Sequence, residues 1–482
     1  MADDARRMSD TESMMWRLEK DPHLASAFAN ITVLDRTPDM DALCARMERT
    51  AILFPRLRRR VQPAPGNVGN PTWVDDPDFD IRRHIRRISL PAPGSMGQLE
   101  DLVALLLADP FDRSRPLWQF TVVDGLAGGR SALVEKLHHT IADGQGGVEL
   151  SLHFLDLERE PAPLPPLDPD LVAAAEAAAS PDPAEALRGA MADSLRIPIA
   201  LLRQVRDVLA DPSLAASLGQ GASATVRSLR TQLLEADAAR SPLWVERSLR
   251  RRILTTSAPY AGVREASRVL GGRINTGFVT AVAQAAGAYH SRLGAPVESL
   301  RASMAVSTRT QDSGANAFTL VRMLVPTGEM PFAERFAAVN EAVEAARTRD
   351  EQGSLDAIAG LAAFLPTSVV TRIARAQAET VDFATSNVRG AGVPLYVAGA
   401  LMLSNHPVGP LAGVAVNVTL MSYMGNLDMG IHVDEAAVRE PDLLRECIDG
   451  AFGELCTFAP TRNGEGSSAS PKRRWWRRRA RD

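Results

Sequence analysis

Hydrophobic residues in the first part of the chain recur at the spacing of an amphipathic helix. In residues 40–52, Leu43, Met47 and Ala51 fall on one helical face. Pro55 follows closely, and the residue before a proline is disfavoured in helical conformation. The pattern therefore predicts a helix that ends just before this proline.

The next hydrophobic segments change between helical and strand spacing, which predicts a mixed α/β fold. "DLVALLLADPFD" (101–112) predicts a helix, and "LWQFTVVDGL" (117–126) predicts a strand. "GGRSALVEKLHH" (128–139) predicts a turn and a second strand, so that the two strands form a hairpin. "GQGGVELSLHFLDL" (144–157) predicts a helix directly after this hairpin.

A second mixed region follows in the C-terminal half. "GGRINTGFVTAVAQAAGAYH" (271–290) predicts a turn that leads into a helix of small residues. Strands are predicted for "LRASMAVSTR" (300–309), "NAFTLVRMLVP" (316–326) and "VAVNVTLMSYMG" (414–425). Two mixed regions of similar size agree with a length of 482 residues, which exceeds what one hydrophobic core usually supports.

Residues 390–427 contain no Asp, Glu, Lys or Arg, which raises the possibility of a membrane span. Pro394, Pro407 and Pro410 divide this segment into pieces too short to cross a bilayer as a helix. We therefore expect buried strands here.

Composition divides the chain into four segments. "PAPLPPLDPDLVAAAEAAASPDP" (161–183) has the proline and alanine content of a linker. An apolar stripe then runs from Met191 to Leu209, and it fits either a crossover helix or a helix at a membrane surface. The expected segments are an N-terminal domain (1–160), a linker with crossover helices (161–240), a C-terminal domain (241–461) and a tail (462–482).

Charge is nearly balanced overall but is concentrated at the C-terminus. The net charge is −4, which does not indicate a polyanion-binding protein. "PKRRWWRRRARD" (471–482) carries seven basic residues and one acid, which leaves a net charge of about −10 for the remainder of the chain.

Three cysteines without zinc-type spacing predict a reducing compartment, and the N-terminus lacks the apolar core of a signal peptide. A cytoplasmic location is expected.

Two of the chain's eight histidines are adjacent, in "LHHTIADG". Successive side chains of a strand point to opposite faces, so His138 and His139 cannot both face one substrate. A metal site needs three or four converging ligands, and only Asp143 is near, so the sequence does not favour a metal site. A neutral imidazole suits proton removal from an attacking alcohol, amine or thiol. Gly144 permits a tight turn into the next helix, and a polar turn without catalytic function remains the alternative.

Other catalytic signatures are missing from the sequence. It contains no GxSxG, no GxxxxGK[ST] and no HExxH, so a serine hydrolase, a P-loop NTPase or a zincin is not supported. A base without a nucleophile favours direct transfer to an acceptor that the histidine activates.

Four blocks occur in order along the chain: "PTWVDDPDFDIRRHIRRISLPAPG" (71–94), "DPFDRSRPLWQFTVVDGLAGGRSALVEKLHHTIADG" (109–144), "SNVRGAGVPLYVAGA" (386–400) and "VNVTLMSYMGNLDMG" (416–430). Together they resemble the bacterial wax ester synthase/diacylglycerol acyltransferase family. By itself, the HHxxxDG motif would indicate only the wider CoA-dependent acyltransferase superfamily, so the narrower resemblance depends on all four blocks. The resemblance extends over about residues 8–455.

The resemblance implies two chloramphenicol-acetyltransferase-like α/β domains around a substrate tunnel. It also implies an O-acyltransferase that moves a fatty acyl group from acyl-CoA to diacylglycerol, a long-chain alcohol or both. His139 is then the general base, and His138, Asp143 and Gly144 shape its loop. No cofactor is expected beyond acyl-CoA as co-substrate. Two alternatives are another hydroxyl acceptor, such as a polyketide or glycolipid, and a catalytically weak lipid-binding protein.

Further positions of the family pattern imply substrate contacts or mark departures from it. Substrate-binding residues expected from the resemblance are Pro116, Leu117, Trp118, Asn275 and Asn387, although a buried tryptophan on a strand also fits a structural role. Thr276 stands where the family usually has an aspartate. Arg389 and Ala391 stand where prolines are common.

In the tail, Trp475 and Trp476 stand between arginines, a composition suited to a membrane or lipid-droplet interface. The expected location is therefore cytoplasmic and peripheral, at the inner membrane or on lipid inclusions, with the contact made by residues 471–482. A solvated tail is the alternative, and no nucleic-acid partner is expected.

Overall fold

A computed structural model describes residues 7–64, 69–178, 240–307, 318–350 and 367–460. The α-helices are α1 Asp10–Leu18, α2 Met40–Leu53, α3 Ile81–His84, α4 Met96–Ala108, α5 Gly144–Ser151, α6 Pro169–Ala178, α7 Tyr260–Val269, α8 Ile274–Arg292, α9 Phe332–Asp350, α10 Thr367–Ala378 and α11 Pro441–Thr457. The β-strands are β1 Ala27–Leu34, β2 Arg59–Gln62, β3 Thr72–Asp75, β4 Ile85–Ser89, β5 Trp118–Leu126, β6 Arg130–His138, β7 Leu155–Asp156, β8 Arg251–Pro259, β9 Ser299–Ser307, β10 Phe318–Pro326, β11 Phe383–Val388, β12 Tyr396–Val397, β13 Ala400–Val408, β14 Val416–Tyr423 and β15 Asn426–Asp434.

Two large sheets organise the described part of the chain. The first sheet has the strand order β4-β5-β6-β1-β13-β12-β7, and the second has the order β10-β9-β11-β14-β15-β8. The expected hairpin is confirmed, because β5 and β6 pair antiparallel and place Trp118 opposite Leu137. The fold is α/β with two sheet-containing regions, as the sequence predicts.

The first sheet includes strands from the C-terminal half of the chain. β13 pairs antiparallel with β1 and places Asn405 opposite Thr32. The backbone N–H of Asn405 also donates to Asp428 of β15, at 2.8 Å. β13 therefore joins the two sheets. The division of the chain into domains of contiguous sequence, with boundaries at 160 and 241, remains a prediction, and it does not include this pairing of a C-terminal strand with the first sheet.

The two halves of the chain also meet where α4 of the first half contacts β8 of the second. The Glu100 carboxylate on α4 accepts from the backbone N–H and hydroxyl of Thr255 on β8, at 2.8 and 2.7 Å. In the second half, α8 is buried along most of its length. A Cβ atom at Gly287 would lie 2.0 Å from the Thr327 carbonyl oxygen, so this close packing requires glycine.

Most predicted elements are present, with corrected boundaries in two places. The helix predicted over 101–112 is α4, which begins at a capping box formed by Ser95 and Gln98 and ends before Pro110. The helix predicted over 144–157 ends at Ser151, and β7 follows it. The helix predicted from Met191 to Leu209 lies outside the described residues, and so does the tail.

Residues 390–427 form strands rather than a helix, as predicted. β12, β13 and β14 lie in this range, and β15 begins at its end. The described residues include no helix that is both long and apolar enough to span a bilayer.

Candidate active site

A cavity of about 750 Å³ lies between the two sheets. Its walls come from α1, α5 and α10, from β1, β6 and β13 of the first sheet, and from β9, β10, β11 and β14 of the second. Most of the lining is apolar. His139, Asp143, Gly144 and Asn387 are the predicted site residues that line this cavity.

His139 directly follows β6 and lines the cavity on the same side as Leu137. Its backbone N–H donates to the Ser26 carbonyl at 3.2 Å, and its ring lies 4.8 Å from that of Phe28, measured between centroids. His138, in contrast, has no exposed surface. The two adjacent histidines therefore have different surroundings, as strand alternation predicts.

The buried His138 is oriented by groups on both sides of its ring. The backbone N–H of Thr140 donates to Nδ1 at 3.1 Å, so Nδ1 is an acceptor and the ring proton belongs on Nε2. Nε2 lies 2.6 Å from a carboxylate oxygen of Glu19. Burial acts to raise the pKa of Glu19, but its contact with His138 and the nearby cations bring that pKa below its usual range.

A second glutamate holds the same loop from α1. Glu12 pairs with Arg56 at 2.5 Å, and the Arg56 guanidinium donates to the carbonyl of Thr140 at 3.0 Å. Ser9 and Glu12 also form the capping box that begins α1. α1 and the residues next to it thus support the loop that carries His139.

The electrostatic surroundings of His139 favour its neutral form. Burial lowers the pKa of His139 from 6.5 to about 4, and the neighbouring His138 adds to this effect, whereas Asp143 opposes it. The imidazole is therefore uncharged near neutral pH and is able to accept a proton. The Asp143 charge favours the imidazolium that forms once it does.

Asp143 and Gly144 form the start of α5. The Asp143 carboxylate caps the helix by accepting from the Gly146 N–H at 2.7 Å. A Cβ atom at Gly144 would lie 2.9 Å from a methyl group of Val388 on β11. The motif glycine thus allows the loop of the first sheet to approach the second sheet closely.

Of the two asparagines expected near the substrate, Asn387 lines the cavity, whereas Asn275 does not line it but contacts Asn387. Asn387, which lines the cavity, donates through Nδ2 to Oδ1 of Asn275 at the start of α8. Thr276, which replaces the usual aspartate, is buried and donates to Asn340 of α9 at 2.9 Å. The substitution therefore affects the contact between α8 and α9, whereas Asn275 remains in contact with Asn387, which lines the cavity.

Pro116, Leu117 and Trp118 do not line the cavity, and their contact with substrate stays a prediction. Trp118 is buried, stacks on His84 at 4.5 Å and donates to the carbonyl of Leu57 at 2.8 Å. The carbonyl of Leu117 accepts from the N–H of His138 at 3.0 Å. Residues 116–118 therefore support the end of β6, because they lie in the core next to the histidine motif.

Glu12, Glu19 and Arg56 are site residues that the sequence did not identify, because charged pairs distant in sequence leave no local pattern. Glu135 was also not identified, although the alternation along β6 places it on the face of Leu137 and His139. Across the described residues, no group of three or more histidine, cysteine or acidic side chains is arranged to hold a metal ion.

Sequence profiles of one family cover both halves of the chain. Residues 8–278 match the wax ester synthase/diacylglycerol acyltransferase catalytic domain, and residues 314–456 match the C-terminal domain of the same family. A putative diacylglycerol O-acyltransferase of Mycobacterium tuberculosis is 30% identical over 475 residues, covering 94% of this chain and 93% of that protein. A probable diacylglycerol O-acyltransferase of the same species is 27% identical over 458 residues, covering 92% and 94%.

Solved structures share the fold at lower identity. A wax ester synthase/diacylglycerol acyltransferase from Marinobacter aquaeolei VT8 superimposes with a TM-score of 0.62 and 20% identity, covering 94% of this chain and 99% of that one. The first condensation domain of the calcium-dependent antibiotic synthetase gives a TM-score of 0.57 and 15% identity, covering 94% and 97%. These similarities concern the arrangement of the two sheets.

Proposed function

Since the chain belongs to the wax ester synthase/diacylglycerol acyltransferase family and is an acyltransferase, we propose that it transfers a fatty acyl group from acyl-CoA to a hydroxyl. The acceptors we propose are diacylglycerol, which gives triacylglycerol, and long-chain alcohols, which give wax esters. The names of its relatives favour the first acceptor and that of the Marinobacter enzyme includes both. Acyl-CoA acts as co-substrate, and no further cofactor is proposed.

The observation that supports this proposal most strongly is the position of His139. It is the histidine that lines a largely apolar cavity, whose volume of about 750 Å³ lies in the range of small-molecule sites. An apolar cavity accommodates acyl and alkyl chains because their burial is favourable. An imidazole on its wall is the group needed to activate a hydroxyl there.

In the proposed reaction, His139 removes the proton from the acceptor hydroxyl while the oxygen attacks the thioester carbonyl. The C–O bond forms and a tetrahedral intermediate results. Its collapse breaks the C–S bond, and the imidazolium returns the proton to the CoA thiolate, so that the products are an ester and free CoA. General-base assistance of this kind typically contributes about 10²- to 10⁴-fold.

The surrounding residues have positioning roles in this proposal. Asp143 favours the imidazolium that forms during the reaction and caps α5, while the Glu19–His138 pair holds the preceding strand end. Asn387, fixed by Asn275, presents an amide on the opposite wall. The amide is suited to hydrogen bonding with polar atoms near the reacting thioester.

Release of CoA from palmitoyl-CoA tests the function directly. Diacylglycerol and 1-hexadecanol are supplied in parallel to the purified full-length chain, and a reaction without acceptor measures hydrolysis. We expect acceptor-dependent CoA release in step with ester formation. CoA release with neither acceptor, but with a polyketide or glycolipid hydroxyl, would assign another acceptor, and no release with any of them would leave a lipid-binding protein.

We further propose that residues 471–482 attach the enzyme to anionic lipid, on the basis of their sequence. Roughly six net positive charges at about 1 kcal/mol each are enough for peripheral attachment. Deletion of these residues should reduce binding to anionic liposomes but leave turnover of a soluble short-chain alcohol intact. Liposome binding that does not change on deletion would refute this attachment.

A further inference from the structure

The face of β6 that carries His139 also carries a carboxylate. Glu135, Leu137 and His139 all line the cavity, as expected for alternate residues of one strand. Four residues along a strand span about 13 Å between Cα atoms. Glu135 is therefore separated from the reacting centre but shares its cavity.

Glu135 belongs to a polar cluster across three adjacent strands, here called the Glu135 cluster, which consists of Glu135, Asn30, Thr32 and Asn405. Asn30 of β1 lies opposite Glu135 and donates to its carboxylate at 3.1 Å. Thr32, on the same face of β1, donates to Oδ1 of Asn405 on β13 at 3.2 Å. All four residues line the cavity, whose wall is otherwise mostly apolar.

The hydrogen-bonding capacity of this cluster is not used up within the described part of the chain. Oδ1 of Asn30 is buried there without a hydrogen-bond partner. Glu135 is 8% exposed and forms no ion pair with a described residue. Burial raises the pKa of Glu135 to about 7, against a smaller opposing effect of the Asn30 hydrogen bond, so both its protonated and ionised forms occur near neutral pH.

Buried glutamates elsewhere in the chain have stronger partners. Glu12 pairs with Arg56, and Glu100 accepts two hydrogen bonds from Thr255. These side chains fulfil a structural role with protein groups alone. Glu135 and Asn30 instead direct acceptor atoms toward a space that a substrate would occupy.

We propose that Glu135 and Asn30 form a hydrogen-bonding subsite for a second hydroxyl group, carried on the chain of either the acceptor alcohol or the acyl donor. This inference rests on the proposed function, because it assumes that both chains lie in the cavity beside His139. A wholly apolar chain would cover these polar atoms without replacing their hydrogen bonds to water, which disfavours its binding. A hydroxyl about 13 Å from the reacting carbon, which is the spacing along the strand between Glu135 and His139, satisfies them.

The test compares plain and hydroxylated chains in two arms. In the acceptor arm, 1-hexadecanol competes with hexadecanediols whose second hydroxyl is about six to twelve carbons from the first. In the acyl arm, palmitoyl-CoA competes with hydroxypalmitoyl-CoA species that have the same range of positions. The full-length chain should prefer the hydroxylated substrate by about tenfold or more in kcat/KM in one arm, and that arm identifies the source of the hydroxyl.

Glu135→Leu and Asn30→Leu should each reduce this preference toward one. Val134→Ala serves as the control, because Val134 is buried beside Glu135 in the same strand but does not line the cavity. It should keep the preference even if it lowers the melting temperature. A loss of folding would reduce turnover of both substrates alike and would not change their ratio.

Three results would overturn the subsite. One is a wild-type preference below about twofold in both arms, and another is a preference that Glu135→Leu and Asn30→Leu leave intact. The third is a rise in the KM for palmitoyl-CoA in Glu135→Leu that is equal with every acceptor, which would place the contact on CoA. Failure of the wild-type chain to turn over any plain or hydroxylated substrate would instead reject the proposed function.

Discussion

The buried His138 pairs with the partly buried Glu19, with Nε2 of the histidine 2.6 Å from a carboxylate oxygen. The pair joins the end of β6 to the residue that follows α1. Because Thr140 donates to Nδ1 of the same ring, the orientation of His138 is determined from both sides. The first motif histidine is thus held in the core, whereas the second lines the cavity.

Glu19→Gln should weaken this support without removing a group that contacts substrate. We expect kcat to fall by about tenfold while KM changes little, because the loop that aims His139 is less well fixed. Steady-state kinetics with palmitoyl-CoA and a saturating acceptor would measure both constants. A variant that raises KM but keeps the wild-type kcat would contradict a role in positioning.

Asp143 combines two effects that two substitutions separate. Asparagine caps helices about as well as aspartate, so Asp143→Asn should keep the cap of α5 but lose the charge that favours the His139 imidazolium. We expect kcat to fall by about tenfold or more, with a melting temperature close to that of the wild type. Asp143→Ala should in addition lose about 1 kcal/mol of stability.

These variants would be compared by kinetics and by thermal unfolding. Equal kcat in the wild type and Asp143→Asn would show that the negative charge contributes nothing to catalysis. Equal stability of the asparagine and alanine variants would show that the cap is unimportant.

Gly144 and Val388 should be energetically coupled across the two sheets. Gly144→Ala places a methyl group against the Val388 side chain, where only 2.9 Å is available, and should lower kcat/KM by about tenfold. Val388→Ala removes the obstructing methyl groups, so the double variant should regain much of this loss. A double-mutant cycle on kcat/KM measures the coupling, and strictly additive effects would contradict the contact.

The low pKa of His139 sets the expected pH dependence. Since burial lowers this pKa to about 4, the acid limb of kcat/KM should lie well below pH 6.5. A pH–rate profile with 1-hexadecanol would measure it. An acid limb centred near 6.5 would indicate a base that is not desolvated in this way.

The stability of the fold should also depend on the protonation of His139 and His432. Burial lowers the pKa of His432 to about 4, as it does for His139. The unfolded chain binds protons on these side chains at higher pH than the folded chain does. Their neutral, buried forms therefore favour the fold above about pH 6.5, and this contribution declines as the pH falls from 6.5 toward 4. Urea unfolding at several pH values would show the decline.

The sequence predicted the parts of the site that depend on local pattern. The alternation along 128–139 separated His138 from His139, and the glycine after Asp143 marked the start of a helix. The sequence did not reveal that β13, more than 250 residues later, pairs with β1, because strand pairing depends on contacts distant along the chain. Glu135 was overlooked for a related reason, since its significance appears only when Asn30 and Asn405 lie beside it.

Trp118 and Asn387 are both expected from their motif positions to contact substrate, and the structure gives them different positions relative to the cavity. Trp118 lies on the same face of the first sheet as Phe120 and Leu137, which line the cavity, but its own ring is in the core, where Nε1 donates to the carbonyl of Leu57. The face of a strand therefore does not decide by itself which of its side chains reach the cavity. Asn387, also transferred by its motif position, does line the cavity because β11 ends beside α5.

The rate of CoA release by His139→Ala tests the central claim most directly, namely that His139 is the general base. His153→Ala is the matched control, because His153 lies in the same segment of the chain but contacts Phe54 outside the cavity. With palmitoyl-CoA and the better acceptor, we predict that His139→Ala loses about 100-fold or more in kcat, at an unchanged melting temperature, while His153→Ala stays within about threefold of the wild type. Retention by His139→Ala of a kcat within about tenfold of the wild type would contradict the assignment.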